Sequence, residues 1–246
     1  MEILSPFQTL SLPSFFLMFI FIYLFAYFRV FHHWDPKHRA EASSCFISLT
    51  HGTPAVFMAI HALTNTQYPT LAAPNSLSHN TVLEFSISYF LVDLLHYLIL
   101  FPNDTLFILH HLATLYVFIT CRFIVHRGSF ALLVLLILAE VTSLCQNVWT
   151  ICGFQRADVP VAGKVFDVLS LPFYAFYTVV RGIIGPFFVY KMGVFYIKDE
   201  NPIPVWAWIS WMIVIVTAIL VSIVWVFDHW IDWFRRRNYQ AMKKVA

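Results

Sequence analysis

Residues 85–124 read FSISYFLVDLLHYLIL-FPND-TLFILHHLATLYVFITCRFI, and this stretch decides the fold. It holds two apolar runs, Phe85–Phe101 and Thr105–Ile124, separated by Pro102-Asn103-Asp104. Each run has about the ~18-residue length that carries a helix across a bilayer. Pro102 ends the first helix, and Asn103 or Asp104 can cap the second. The two therefore form an antiparallel hairpin. Four ionisable residues sit inside it: Asp93, His96, His110 and His111. Ionisable groups in hydrocarbon are costly, so each marks a candidate functional site.

Working outward, the same pattern repeats along the chain. Sixty per cent of the 246 residues are hydrophobic and 11% are charged, against about 25% charged in soluble domains. A membrane β-barrel would show ~10-residue alternating segments; these runs are continuous. The expectation is an all-α membrane protein with about seven transmembrane helices: Ser14–Phe31, Cys45–Leu63, Phe85–Phe101, Thr105–Ile124, Phe130–Cys152, Phe166–Tyr190 and Val205–Phe227. The run from Ser14 has no basic n-region and no small-residue cleavage site, so it reads as a span and not a signal peptide. A lumenal N-terminus, first span and basic linker cover residues 1–38. One bundle domain covers residues 39–234, and a basic tail residues 235–246.

The net charge of +2 carries little information, because the charges cluster at span ends. Their distribution does inform. One side holds Arg29, Lys37, Arg39, Arg156, Lys164, Arg235, Arg236, Arg237, Lys243 and Lys244; the other holds Arg122, Arg127, Lys191 and Lys198. Positive charge favours the cytosolic side. The N-terminus is thus expected in the lumen and the C-terminus in the cytosol. Trp206, Trp208, Trp211, Trp230 and Trp233 flank the last span as an aromatic belt. The closing Lys243-Lys244-Val245-Ala246 looks like a dilysine retrieval signal, which predicts the endoplasmic reticulum membrane and recognition of Lys243 and Lys244 by a coat protein.

Inside the hairpin, Asp93 and His96 share a helix face, which Ser86 and Tyr89 extend. By the helical rise, Asp93 lies ~12 Å and His96 ~8 Å from the helix end, with His110 and His111 ~8–9 Å into the return. Adjacent histidines point ~100° apart, so only one can face a given partner. An Asp beside a His can hold its tautomer and raise its basicity, as a general base requires. An interhelical polar clamp uses the same residues. The fifth span carries Glu140, Ser143 and Asn147 on one face. The sixth carries Asp167, Ser170, Tyr174, Tyr177 and Arg181, and the second carries Ser48 and His51. Glu140 and Arg181 are a candidate ion pair; equally, Arg181 can meet a phosphate or carboxylate head group. Five spans thus turn a polar stripe inward, as a bundle with an interior pocket for an amphiphile would. His51, Glu140, Ser143, Asn147, Tyr177 and Arg181 are the expected pocket residues.

These stretches together resemble the TLC (TRAM–Lag–CLN) domain family, which includes the ceramide synthases. The likeness spans about Arg39 to Arg181. It rests on residues 86–96, His110-His111, Arg127-Gly128, and Leu138-Ala139-Glu140-Val141-Thr142-Ser143 with Asn147 and Trp149. The family's seven-helix bundle and lumenal N-terminus are what the resemblance implies. Ceramide synthases use a histidine pair with two aspartates on the following helix to acylate a sphingoid base from acyl-CoA. Here His110 and His111 match the pair, only Glu140 stands where two aspartates are expected, and Leu136 is apolar one turn earlier. The Glu140 motif is more similar to TLC-domain proteins outside the ceramide synthases, which are linked to membrane lipid composition and lipid homeostasis.

Two functions follow as expectations. One is a lipid-handling membrane protein whose partners are membrane lipids. The other is an acyltransferase taking acyl-CoA, with Asp93, His96, His110 and His111 as its catalytic candidates. A di-iron hydroxylase needs histidine boxes spaced i, i+3 or i+4, and His110-His111 has no partner within five residues. No metal and no cofactor is therefore expected. A transporter would show inverted repeats and paired broken helices. Nucleic acid is not an expected partner, since Arg235-Arg236-Arg237 is the sole basic run and sits beside a span.

Overall fold

A computed structural model describes residues 11–67, 69–198 and 201–245, with side chains as far as residue 238. The first ten residues and the side chains of Lys243 and Lys244 lie outside it. Seven helices are long and apolar enough to cross a membrane. They are α1 Ser11–Val30, α2 Pro36–Thr64, α3 Leu77–Leu100, α4 Thr105–Val125, α5 Ser129–Phe154, α6 Pro160–Lys198 and α7 Val205–Asn238. The backbone of α7 stays helical to Val245, and the described residues hold no strand. The expected seven-span, all-α class is what the chain adopts.

Capping chemistry explains where several helices begin earlier than their hydrophobicity suggests. Asp35 precedes Pro36, which is preorganised for a first helical position. The Asp35 Oδ1 accepts the N–H of Lys37 at 3.1 Å and of His38 at 3.2 Å. Those bonds, that from His38 foremost, hold its carboxyl below the ordinary carboxylate range. Helix α2 thus starts at Pro36 instead of Cys45. Ser76 caps α3 through the His79 N–H at 3.2 Å, so α3 starts at Leu77 and takes in Glu84. At the α3–α4 turn, Asp104 is the N-cap residue, but its side chain makes no capping bond.

Helices α1 and α4 close in π-helical turns at Ala26–Val30 and Thr120–Val125, and two helices are irregular within the span. Helix α5 is interrupted after Glu140 by a turn at Val141–Thr142 and resumes at Ser143. Helix α6 widens into a π-helical segment at Thr178–Ile184. Pro186 follows this segment, and proline lacks the N–H and clashes with the carbonyl four residues back, here Gly182. Widened turns are a recognised response and recur at functional sites. Both irregularities border the cavity described below.

Helix α3 is the centre. It packs on α1, α2, α4 and the first half of α5, and most of its length is buried, whereas α1 and α7 are mostly open to the outside. The exterior is the reverse of a soluble protein's. Leu17, Phe21, Ile99, Val168 and Ile213 are all exposed, and contiguous apolar surface on this scale requires lipid, not water, around it. The chain is a multi-pass membrane protein.

The turns opposite the α3–α4 connection lock together. His126 adopts a left-handed conformation, φ 57°, and Gly128 has φ 87°. A Cβ at Gly128 would meet Ile203 Cδ1 at 2.9 Å and Trp211 Cζ3 at 3.0 Å, so glycine is required on both counts. Asn75 ties the α2–α3 loop to this turn, donating from its backbone to His126 O at 2.9 Å and accepting the Ser129 N–H at 3.1 Å. Beside it, Arg122 Nη2 lies 2.6 Å from Glu84 Oε1, and Ser11 donates to the other Glu84 oxygen.

Candidate functional site

Asp93 sits in the middle of α3 and is the hub of a buried polar layer. Its Oδ2 lies 2.8 Å from His111 Nε2, and its Oδ1 accepts the Ser44 hydroxyl at 2.6 Å. His111 Nδ1 lies 2.7 Å from the carbonyl of Phe107, so it donates there. Nε2 then faces a carboxylate with one proton between them, on either atom. Both nitrogens of His111 are spent. A pair this well enclosed is costly to break, because either partner left alone is an uncompensated buried polar group.

The layer continues one helix over. His51 of α2 is fully buried and stacks on Tyr89, centroids 4.1 Å apart and 7° from parallel. Its Nε2 lies 3.0 Å from the Ser86 hydroxyl. Its Nδ1 has no hydrogen-bond partner among the described residues, and Glu140 Oε2 is 4.0 Å away. Gly52 makes room for that carboxylate, since a Cβ there would fall 2.6 Å from Glu140 Oε2. Asn147 Nδ2 donates to Ser48 Oγ at 2.9 Å and to Ser143 O at 2.9 Å. Glu140, Ser143 and Asn147 were expected along one unbroken face. The turn at Val141–Thr142 instead separates Glu140 from the other two, although all three still face α2.

The histidine pair is divided. His110, unlike His111, presents accessible surface, and it presents it to a cavity of about 160 Å³ bounded by α3, α4, α5, α6 and α7. The polar side chains of the lining are His110, Thr114, Glu140, Arg181 and Ser222; the remainder is apolar, from Phe90 and Leu132 to Ile215 and Ile219. Arg181 Nη2 donates to Ala139 O, the residue before Glu140. The guanidinium and the carboxylate thus share a wall. They form no ion pair, and Arg181 Nε has no partner among the described residues. Ala139 stands just before the helix break, where its carbonyl accepts both the Thr142 hydroxyl at 3.4 Å and Arg181 Nη2 from the π-helical turn of α6.

Several expected positions lie elsewhere. His96 stays within electrostatic reach of Asp93 and His111, but its Nδ1 turns to Tyr23 OH on α1 at 2.9 Å. Of the six expected pocket residues, Glu140 and Arg181 line the cavity. His51, Ser143, Asn147 and Tyr177 do not. Tyr177 is buried against Phe173 and lies beneath the Arg181 guanidinium, 5.4 Å from ring centre to charge. Asp167 of the α6 stripe is exposed.

Other partners were missed. Ser44 lies one turn before Ser48 and His51 on the same face, a periodicity visible in the chain. Gly52 carries no side-chain signal. The Glu84–Arg122 pair carries no such signal, because Glu84 stands just outside the apolar run that begins at Phe85.

A seven-helix membrane bundle with a buried acid–imidazole layer and an adjoining polar-and-apolar cavity defines the class of the protein. A family model described as the TLC domain matches residues 41–230. A TLC domain-containing protein of Arabidopsis thaliana is 54% identical over 237 residues, covering 95% of this chain and 93% of its own. The chain belongs to the TLC domain family. No solved structure matches it.

Proposed function

We propose that the protein acts in lipid homeostasis from the endoplasmic reticulum membrane, accepting an amphiphile in the cavity between α3 and α7. One observation carries the reading: a largely apolar intramembrane cavity whose wall includes His110, Glu140 and Arg181, from three different helices. Polar groups at a few places in an otherwise apolar concavity are how small-molecule sites fix orientation. The Arg181 guanidinium in the cavity wall gives an anionic or strongly accepting head group a reason to bind there. A cavity of about 160 Å³ is close to the ~150 Å³ that holds a benzene-sized molecule. It takes a head group or a chain end. An apolar groove between α6 and α7, lined by Val189, Gly193, Met212 and Val216, adjoins it at Ile219 and offers a bed for the rest.

The Lys/Arg asymmetry and the Lys243-Lys244 ending support a cytosolic C-terminus, endoplasmic reticulum residence and recognition by a coat protein. The deciding experiment is untargeted lipidomics of cells lacking the protein, rescued at equal expression by the native chain, His110→Ala or Arg181→Gln. The native chain should restore a lipid class that both variants leave altered. Full rescue by both variants sinks the cavity as the working site.

A second reading is an acyl-CoA-dependent acyltransferase. One observation favours it: His111 has both ring nitrogens engaged, while the neighbouring His110 opens on the cavity. His110 would take the proton of an amine or hydroxyl as the new acyl bond forms, and the thioester C–S bond would break to release coenzyme A thiol. Purified protein given radiolabelled acyl-CoA and candidate acceptors separates the readings. Labelled product that disappears in His110→Ala supports turnover, and none in the native protein sinks it.

A further inference from the structure

A second constellation lies where α5 ends, α6 begins and α7 leaves the bundle. The guanidinium carbon of Arg156, in the α5–α6 turn, lies 5.0 Å from the centre of the Phe166 ring. That of Arg236, on α7, lies 5.0 Å from the same centre. Two cations thus meet at one ring, and among the described residues neither forms an ion pair. Asp158 and Asp232, the acids nearest to them in sequence, are exposed and pair with neither. With no carboxylate among the described residues in ion-pair range of either guanidinium, the two like charges favour an added anion between them.

The platform is rigid. Phe166 is buried and stacks on Trp149 at 4.8 Å and 22°. Trp149 is pinned by its Nε1 bond to Ser170 Oγ at 2.8 Å. Gly153 and Gly163 permit the close approach: a Cβ at 153 would meet Phe166 Cε2 at 3.1 Å, and one at 163 would meet the Arg156 carbonyl at 3.0 Å. One ring deeper, Tyr174 and His229 stack at 4.9 Å and 8°. The Tyr174 hydroxyl and His229 Nε2 are both buried without a hydrogen-bond partner among the described residues. Val161, Val168, Ile231 and Phe234 expose apolar surface around the site. Cations above an apolar outer wall match a molecule with phosphate above hydrocarbon.

We propose that Arg156 and Arg236 clamp the phosphate of an anionic phospholipid head group, drawn from the leaflet that the α5–α6 turn faces. Guanidinium forks bind phosphate oxygens two at a time, and stacking on Phe166 sets their planes in advance. The site is separate from the cavity and does not depend on what the cavity holds.

The test uses the full chain in detergent, mixed with equal amounts of dioleoyl phosphatidic acid and dioleoyl phosphatidylcholine, with retained lipid counted by native mass spectrometry. The native protein should retain phosphatidic acid preferentially. Arg156→Gln/Arg236→Gln should lose that preference, by about fivefold for each arginine, while Arg235→Gln keeps it. Arg156→Lys/Arg236→Lys preserves charge but not the fork or the stacking, and it should lose most of the preference too. Excess inorganic phosphate should leave the retained lipid in place. The proposal is overturned if the glutamine or lysine pair retains the native preference, or if Arg235→Gln loses as much. It is also overturned if inorganic phosphate displaces all bound lipid, which makes a soluble phosphate the ligand.

Discussion

His111 Nε2 stands 2.8 Å from Asp93 Oδ2, while the adjacent His110 faces away into the cavity. Two neighbouring residues of one type therefore stand in separate surroundings, one joining α4 to α3 and one bordering the cavity. Asp93→Ala should destabilise the purified protein by about 3 kcal/mol, the usual scale for stranding half of a buried pair. His110→Ala should change stability by less than about 1 kcal/mol, since it opens an existing cavity wall. Unfolding followed by thermal shift in detergent checks both. Equal losses would mean that the pair is not divided as described.

Glu140 depends on Gly52. A methyl group at position 52 would fall 2.6 Å from Glu140 Oε2 and 3.0 Å from Ser143 Cβ. Gly52→Ala should therefore displace the carboxylate and cost about 1–3 kcal/mol, the range for overpacking. Glu140→Ala in the same chain should recover part of that loss, because the nearer obstacle is gone. A double-mutant cycle measures the coupling, and strict additivity would show that the two residues do not meet.

On the far side of the bundle, Arg122 and Glu84 form the one Arg–carboxylate ion pair among the described residues. Glu84 is buried and Arg122 only partly so. Arg122→Ala strands the carboxylate and should lower stability by about 3 kcal/mol. Glu84→Gln/Arg122→Ala should be milder than Arg122→Ala alone, since no charge is left behind. The reverse order of stability would remove the pair from the account of the fold.

The Asp35 cap gives a pH signature. Its folded carboxyl titrates below the unfolded value, so the stabilisation is present above the unfolded pKa and is lost as pH falls through the folded one. In Asp35→Asn the cap remains but cannot titrate there. The melting temperature of the native protein should fall further than that of Asp35→Asn when pH drops below about 4. Parallel curves for the two would show that the ionised carboxylate adds nothing beyond a neutral cap.

The proposed orientation is checked at Asn103-Asp104-Thr105. This sequon lies in the α3–α4 turn, on the side assigned to the cytosol, so it should carry no glycan. An endoglycosidase-sensitive mass shift lost in Asn103→Gln would reverse the assignment.

Composition and run length by themselves determined that this chain is a membrane-spanning helical bundle, because burying hydrocarbon-length apolar helices leaves no soluble alternative. The rarity of ionisable residues in those runs singled out Asp93, His110, His111, Glu140 and Arg181. Their partners were another matter. Periodicity gives the face of a residue on its own helix but not the rotation of one helix against another. It therefore placed His96 beside Asp93 but left out Tyr23 of α1, to which packing turns its Nδ1. It drew α5 as one straight face, whereas the helix turns after Glu140, next to the Ala139 carbonyl that accepts Arg181 Nη2. The cavity, the split between His110 and His111, and the meeting of Arg156 with Arg236 on Phe166 join residues far apart in the chain. Only the packing of the helices, which settles distances between segments, decided them.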